Sequence, residues 1–330
     1  MKTIKYVLMI LAVLAIVYIV WVGNFKTNPG SDSPSEYARE AQEAVSLFGA
    51  PLFRSQPSGE TRERMLAQLA EAVDRHEADP ESVDEIVWHG RRLAYLGRYG
   101  EAIQVYSDGL KRHPDEPHLL RHRGHRYITT RRFDDAIQDF SRAAAAVEGK
   151  RDEIEPDGQP NDAGIPTSTL QTNIWYHYAL AHYLKGEFDV AAEYFQNCFD
   201  LAKNDDMRVA AADWLYMSLR RDGRAEEAES VISFVTEDLE IIENQAYYTR
   251  LLMYRGMIDA GAIEARLQGD DAALELATLG YGVGNWKLTN GDTLAAVEIY
   301  RNVLDTGIWA AFGYIASEAD LARMGLHAIE

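Results

Sequence analysis

The chain has one cysteine, Cys198, in 330 residues. That excludes an internal disulfide and a zinc site built on thiolates. Positive charge is also scarce: 33 lysines and arginines face 52 aspartates and glutamates, a formal net charge of −19. Nucleic acid as the main ligand and adsorption to anionic lipid both need clustered positive surface, so both are excluded. The acidic excess serves solubility. There is no nucleophile motif, glycine-rich phosphate loop or paired acid–base signature. Gly280, Gly282 and Gly284 mark tight helix packing rather than a nucleotide cradle, which needs a preceding strand. The chain reads as a non-enzyme without a cofactor.

Long apolar runs are confined to one segment. Tyr6 to Val22 is unbroken by charge and preceded by Lys2 and Lys5. Its length suits a short membrane-spanning helix better than a secretory h-region. Trp21 occupies a position where a cleavage site needs a small residue, and no A-x-A pattern follows. Residues 1–23 are therefore expected to be an uncleaved signal anchor, with Tyr6 and Trp21 at the two interfaces. Lys2, Lys5 and the terminal amine outnumber Lys26, which places the N-terminus in the cytoplasm and the rest in the periplasm, held at the inner membrane of a Gram-negative cell. Residues 24–58 read as a tether and leading helix. The stretches Ser35 to Phe48 and Glu60 to Ala78 have amphipathic helical spacing.

What the sequence has in abundance is periodicity. Gly90, Leu93, Tyr99, Ala102 and Tyr106 recur 34 positions later as Gly124, Tyr127, Phe133, Ala136 and Phe140. A period of that size predicts a helix–turn–helix unit that buries its apolar face only by stacking on copies of itself. Ala136 to Ala191 is 55 residues, one period plus 21, so an insertion follows the second unit at 149–170. It holds Pro156-Asp157-Gly158, Pro160-Asn161-Asp162 and Gly164-Ile165-Pro166, which are turn formers. Ala228 to Ala296 is 68 residues, two periods, which demands a degenerate fifth unit carrying Tyr247, Tyr248, Leu251 and Leu252. About six units fill 59–330, and a last helix near Trp309 to Met324 is expected to cap the open end of the stack.

Stretches such as Gly97-Arg98-Tyr99-Gly100-Glu101-Ala102 and Lys185-Gly186-Glu187-Phe188 resemble the tetratricopeptide repeat (TPR) superfamily. Segments such as Asn173-Ile174-Trp175-Tyr176-His177 are similar to a bacterial subgroup of it, which supports the register and adds no activity. The resemblance implies an all-α, α–α superhelix behind one N-terminal transmembrane helix. It also implies a protein-binding activity in which the first helix of each pair lines a concave groove.

The groove residues so implied are Arg91, Tyr95, Arg121, His122, His125, Asn173, Tyr176, His177, Trp214 and Arg220, with His118, Asp213, Met217, Tyr281 and Asn285 beside them. The run Arg121-His122-Arg123-Gly124-His125-Arg126 is the densest positive cluster in the chain. A cation patch on a negative background attracts carboxylates, and Arg forks onto them. An acidic protein or peptide is thus the expected partner. The same arginines have a second role open to them, pairing with acidic groups of neighbouring helices or of the 149–170 loop. The resemblance does not extend to the carboxylate-clamp TPRs, because Val87 and His122 stand where that set needs other residues.

Two rivals to a scaffold remain open. One is a metal-handling or enzymatic protein using His118, His122 and His125, whose spacings of four and three put three imidazoles on one helical face. Arg121 and Arg123 crowd that face with positive charge, so no metal is expected. The other is a structural assembly factor using its convex surface. Asp152, Glu153, Glu155 and Asp157 lack the spacing of a calcium loop and read as a solvated acidic loop.

Overall fold

The computed structural model describes residues 42–326 apart from 56, 58, 160, 267–272, 274 and 275. The membrane run and most of the tether lie outside the described residues. Among the described residues no helix is long and apolar enough to cross a membrane.

The repeats fold as the period requires. Helix α1 (Gly59–Ala78) leads. The first pair is α2 (Val83–Tyr95) and α3 (Tyr99–Arg112), and the second is α4 (Pro117–Thr129) and α5 (Phe133–Val147). After the insertion come α6 (Leu170–Lys185) with α7 (Phe188–Leu201), then α8 (Asp205–Arg221) with α9 (Ala225–Val231). The degenerate unit is α10 (Gln245–Tyr254) with α11 (Ala260–Arg266). A π-helical turn at Leu276–Gly280 leads into α12 (Tyr281–Thr289) and α13 (Thr293–Asp305), and α14 (Phe312–Arg323) ends the array. The starts are set locally. Ser82 and Asn204 cap α2 and α8 through their side chains, Thr169 and Thr172 form a capping box on α6, and Pro117 opens α4 behind Glu116. Each arrangement satisfies amides that helix geometry leaves orphaned.

Packing within each pair depends on one recurring contact. A side chain at Gly124 would meet the Phe140 ring at 2.8 Å, one at Gly284 would meet Tyr300 at 2.6 Å, and Gly90 stands in the same relation to Tyr106. Each pair is sixteen residues apart, so the aromatic of the second helix lies on the bare backbone of the first. The three rings are fully buried. Cys198 is buried beside them and donates its thiol to the Thr172 carbonyl at 3.4 Å.

Two parts of the chain depart from expectation. Residues 42–48 are not helical. Strands β1 (Gln42–Val45) and β2 (Pro51–Phe53) form an antiparallel hairpin pairing Ala44 with Leu52. Glu43 holds Arg54 and accepts from the Gly100 amide at 2.9 Å, supplying negative charge at the start of α3, which has no side-chain cap of its own.

Helix α14 packs on the last pair and also turns back across the first helices of several pairs. Phe312 packs on His125, Tyr176 and His177, Arg323 donates to the Leu184 carbonyl at 2.7 Å, and Asp320 takes both Arg221 and Tyr281. Its polar residues Ser317, Glu318 and Asp320 are the buried ones, the reverse of a solvent-facing cap. Glu318 receives Arg131 at 2.7 Å and the Leu47 amide at 2.6 Å, and the Trp309 indole donates to the Phe53 carbonyl. The N-terminal hairpin, the second turn and the C-terminal helix are thereby fastened together. Arg131 stands where the first unit has Gly97, and it adopts the same left-handed backbone, φ 64° against 71°. That conformation costs a non-glycine residue about 1 kcal/mol, and the Glu318 pair holds it there.

The glycine contact sets an opposite-sign expectation. Gly124→Ala should lower the unfolding free energy by about 1–3 kcal/mol through overpacking. Gly100→Ala, where the nearest atom is an ordinary 3.7 Å away, should raise it by ~0.5–1 kcal/mol. Urea denaturation of both variants checks this, and equal effects would contradict the packing account.

Candidate functional site

Helix α4 stands at the centre of the concave face. Leu119, Leu120 and Ile128 are buried against neighbouring helices, which turns Arg121, His122 and His125 to the concave side. The insertion runs over this face. It is pinned at its base by the Ile154–Thr169 bridge and by Leu170 donating to the Glu153 carbonyl at 2.9 Å. Glu155, expected in water, is buried.

Three residues of two helices converge on that carboxylate. Arg121 Nε is 3.1 Å from Oε2, His122 Nε2 is 3.1 Å from Oε1, and Asn173 Nδ2 donates to Oε2 at 3.0 Å. Arg121 also donates to His122 Nδ1 at 2.9 Å. Arginine is only a donor, so His122 keeps its proton on Nε2 and gives it to Glu155. Burial first, then the charge of Arg121, pushes His122 down to about 3 from its usual 6.5. Burial alone would raise the Glu155 carboxyl, but Arg121 and His122 outweigh it and hold the acid well below the usual carboxylate range. Of the two roles open to Arg121, the structure shows the internal pair.

The insertion then spans the face. Arg91 donates to the Pro156 carbonyl at 2.7 Å and Arg92 to the Gly158 carbonyl at 3.1 Å. Farther along, Asn161 and Thr167 donate to Glu243 at 2.5 and 2.9 Å, and Asn204 donates to the Thr167 carbonyl. Asp206 secures the 242–244 segment by accepting its three amides. Between α2, the start of α4 and the insertion remains an open cleft of about 450 Å³ lined by Val83, Val87, Trp88, Arg91, His118, Ile154 and Pro156, among others. Ile154 stands 66% exposed at its rim.

The other expected groove residues divide into two sets. Arg91 lies 4.7 Å over the Trp88 ring and 3.3 Å from the Tyr95 hydroxyl. The His125 ring packs at a tilt on His177 with centroids 4.4 Å apart, and His177 donates to the Asn173 carbonyl at 2.7 Å. These belong to the concave centre. Tyr176 is bonded to Tyr247 at 3.0 Å, and Arg220 holds Tyr216 and Asn290 at the outer edge. Trp214 is 1% exposed, between Phe195 and Tyr281. It is a core residue rather than a groove residue. Asp213 is spent on Arg250, and Tyr281 and Asn285 on a buried network with Tyr183, Arg221 and Asp320. The three histidines of α4 go to separate partners: His118 to Glu116 and Glu153, His122 to Glu155, His125 to His177. Among the described residues, no three metal-ligating side chains come together. Sequence reasoning had Arg126 only as a member of the basic run and missed the α14 carboxylates, whose one signal was that α14 has acidic residues on more than one face.

Fold and site together define an α-helical repeat solenoid whose concave face is polar, aromatic and partly filled by its own chain. Residues 89–150 and 172–205 match family models for the tetratricopeptide repeat, and the gap between them is the insertion. These two stretches are tetratricopeptide repeats. Similar solved structures include YrrB, described as a TPR protein with an unusual peptide-binding site. It shows 16% identity and a TM-score of 0.40 over 77% of this chain and 98% of that one. A tetratricopeptide repeat protein from Parabacteroides merdae shows 14% identity and a TM-score of 0.43 over 79% and 100%. These are similarities of fold alone. No curated protein matches the chain significantly.

The buried imidazoles make stability pH-dependent in a defined direction. His122 and His177 each take a proton near 6.5 when unfolded but only near 3 when folded. Between those values the unfolded state binds more protons, so stability falls as pH falls. Glu155, usually at 4.5 and depressed in the fold, adds loss in the same direction lower down. The unfolding free energy should decline from pH 7 to 4, with a shallower slope in His122→Gln. A flat profile, or an unchanged slope in the variant, would contradict the assignment.

Proposed function

We propose that the chain is a non-catalytic interaction scaffold that recognises extended acidic segments of partner proteins on the concave face of its first three helix pairs. The TPR array supports a protein-binding role. The observation that carries the finer reading is Glu155. This carboxylate, on an extended stretch of the chain, is held by Arg121, His122 and Asn173, so the face has the chemistry to hold such a group. Trp88, Tyr95 and Ile154 add apolar contact area around it. On this reading the run Tyr6–Val22 tethers the array to the inner membrane with the repeats in the periplasm, as its length and flanking lysines suggest.

Two measurements test the reading. A photo-crosslinking residue at Tyr95 in native membranes should capture partners through acidic segments, with capture falling as salt is added. The same residue at Leu294, 86% exposed on a second helix, should not. Capture confined to Leu294 would sink the groove reading. For the tether, the chain should begin at Met1 and stay in the membrane pellet after a carbonate wash; a soluble form beginning near Gly23 would contradict it.

A further inference from the structure

Carboxylates outnumber cations in this protein by 52 to 33, and the chain uses that excess to neutralise its half-buried and buried arginines. Arg123 has Asp139, Arg131 has Glu318, Arg221 has Asp320 and Arg250 has Asp213. The floor beneath the insertion departs from this rule. Three guanidinium groups, of Arg91, Arg121 and Arg126, act on one another and on the buried Tyr106 there. Among the described residues only Arg121 forms an ion pair there, with Glu155, which with Asp157 also acts on Arg91 from farther off.

Arg91 is satisfied by a carbonyl, a phenol and the Trp88 ring, all uncharged. Arg126 is half-buried with its guanidinium carbon 5.6 Å from the centre of the Tyr99 ring. Among the described residues its side chain makes no hydrogen bond and no ion pair. Its strongest electrostatic neighbours are Tyr99, Tyr106, Tyr95 and Arg91, three phenols and another cation. A desolvated charge without a counter-charge is costly, and in so acidic a chain a carboxylate would have been easy to supply. The surplus has a second trace: His125 and His177 titrate well below their usual range, with burial the first cause and neighbouring arginines contributing.

We propose that this floor is an oxyanion seat centred on Arg126 with Arg91 beside it, taking a carboxylate of the partner's acidic segment next to the place already held by Glu155. The seat rests on the acidic-segment reading above and names the residues that carry it. Tyr95 and Tyr99 wall it, which favours a carboxylate on an extended chain over a hydrated ion. Inorganic phosphate shares the oxyanion chemistry and serves as the alternative source.

The test uses the full-length chain with two probes, the peptide acetyl-Glu-Glu-Glu-amide and inorganic phosphate. Ring signals of His125 and His177 are followed by NMR. The peptide should shift both signals saturably and move their titration midpoints upward, because an anion offsets the arginines. Arg126→Leu should weaken this response by roughly tenfold or more. It should melt at nearly the wild-type temperature, since it loses the Tyr99 ring contact but no hydrogen bond or ion pair, whereas Arg123→Leu, which strands Asp139, should melt much earlier. A saturable, Arg126-dependent response to phosphate as well would support the seat and widen its source to free oxyanions. A response to neither probe, or one that Arg126→Leu leaves intact, overturns the seat. If Tyr95 cross-linking to acidic segments persists in that case, the groove reading survives and only the seat has failed.

Discussion

Three largely buried arginines need counter-charges that the repeats themselves do not supply, unlike Arg250, which meets Asp213 of a neighbouring repeat. Within the second pair, Arg123 finds Asp139 on the facing helix, but Arg121, Arg131 and Arg221 do not find theirs in this way. Their carboxylates come from outside the repeat pattern: Glu155 from the insertion, Glu318 and Asp320 from α14. A buried ion pair adds little net stability over an apolar core of the same shape, but breaking one costs about 3–5 kcal/mol. Such pairs therefore fix where the two non-repeat segments lie more than they strengthen the fold. The insertion and α14 cannot leave the concave face without stranding an arginine.

This constraint shapes how a ligand reaches the centre. If the 152–158 stretch lifted away alone, Arg121 would lose its carboxylate in a site that water scarcely reaches. Exchange with an incoming carboxylate keeps the charge balance, whereas a neutral or cationic segment offers no replacement. The open cleft beside Trp88 and the surplus cations at Arg91 and Arg126 lie at the edge of that exchange. On the acidic-segment reading proposed above, specificity is a matter of charge replacement as much as of contact.

Much of the fold was legible because it depends on steric identity at fixed spacing. The sixteen-residue glycine–aromatic pairs survive in the sequence as bare letters, and the insertion shows as an offset of 21 in an otherwise regular count. The hairpin at 42–53 was not legible: Gln42-Glu43-Ala44-Val45 consists mostly of good helix formers, and only docking on Trp309 and the Gly100 amide makes it a strand. The ties made by α14 were not legible either, since nothing in the sequence places Ser317, Glu318 and Asp320 in the interior beside Arg131 and Arg221. Of the site, the residue types were legible and their partners were not. Glu155 looked like one acid among several in a loop, and Trp214 looked available until Tyr281 of α12 and Arg250 of α10 covered it. Arg131, an arginine in a glycine turn position, is a local irregularity of the sequence whose long-range tie to Glu318 only the structure reveals.

Segments outside the repeats supply charges that the concave face requires. A double-mutant cycle on Arg121→Gln and Glu155→Gln, read by urea unfolding at pH 7, tests it most directly. The single changes should each cost several kcal/mol, and the double variant should recover a coupling of about 2 kcal/mol or more. Additive losses, with no coupling between the two sites, would contradict the claim.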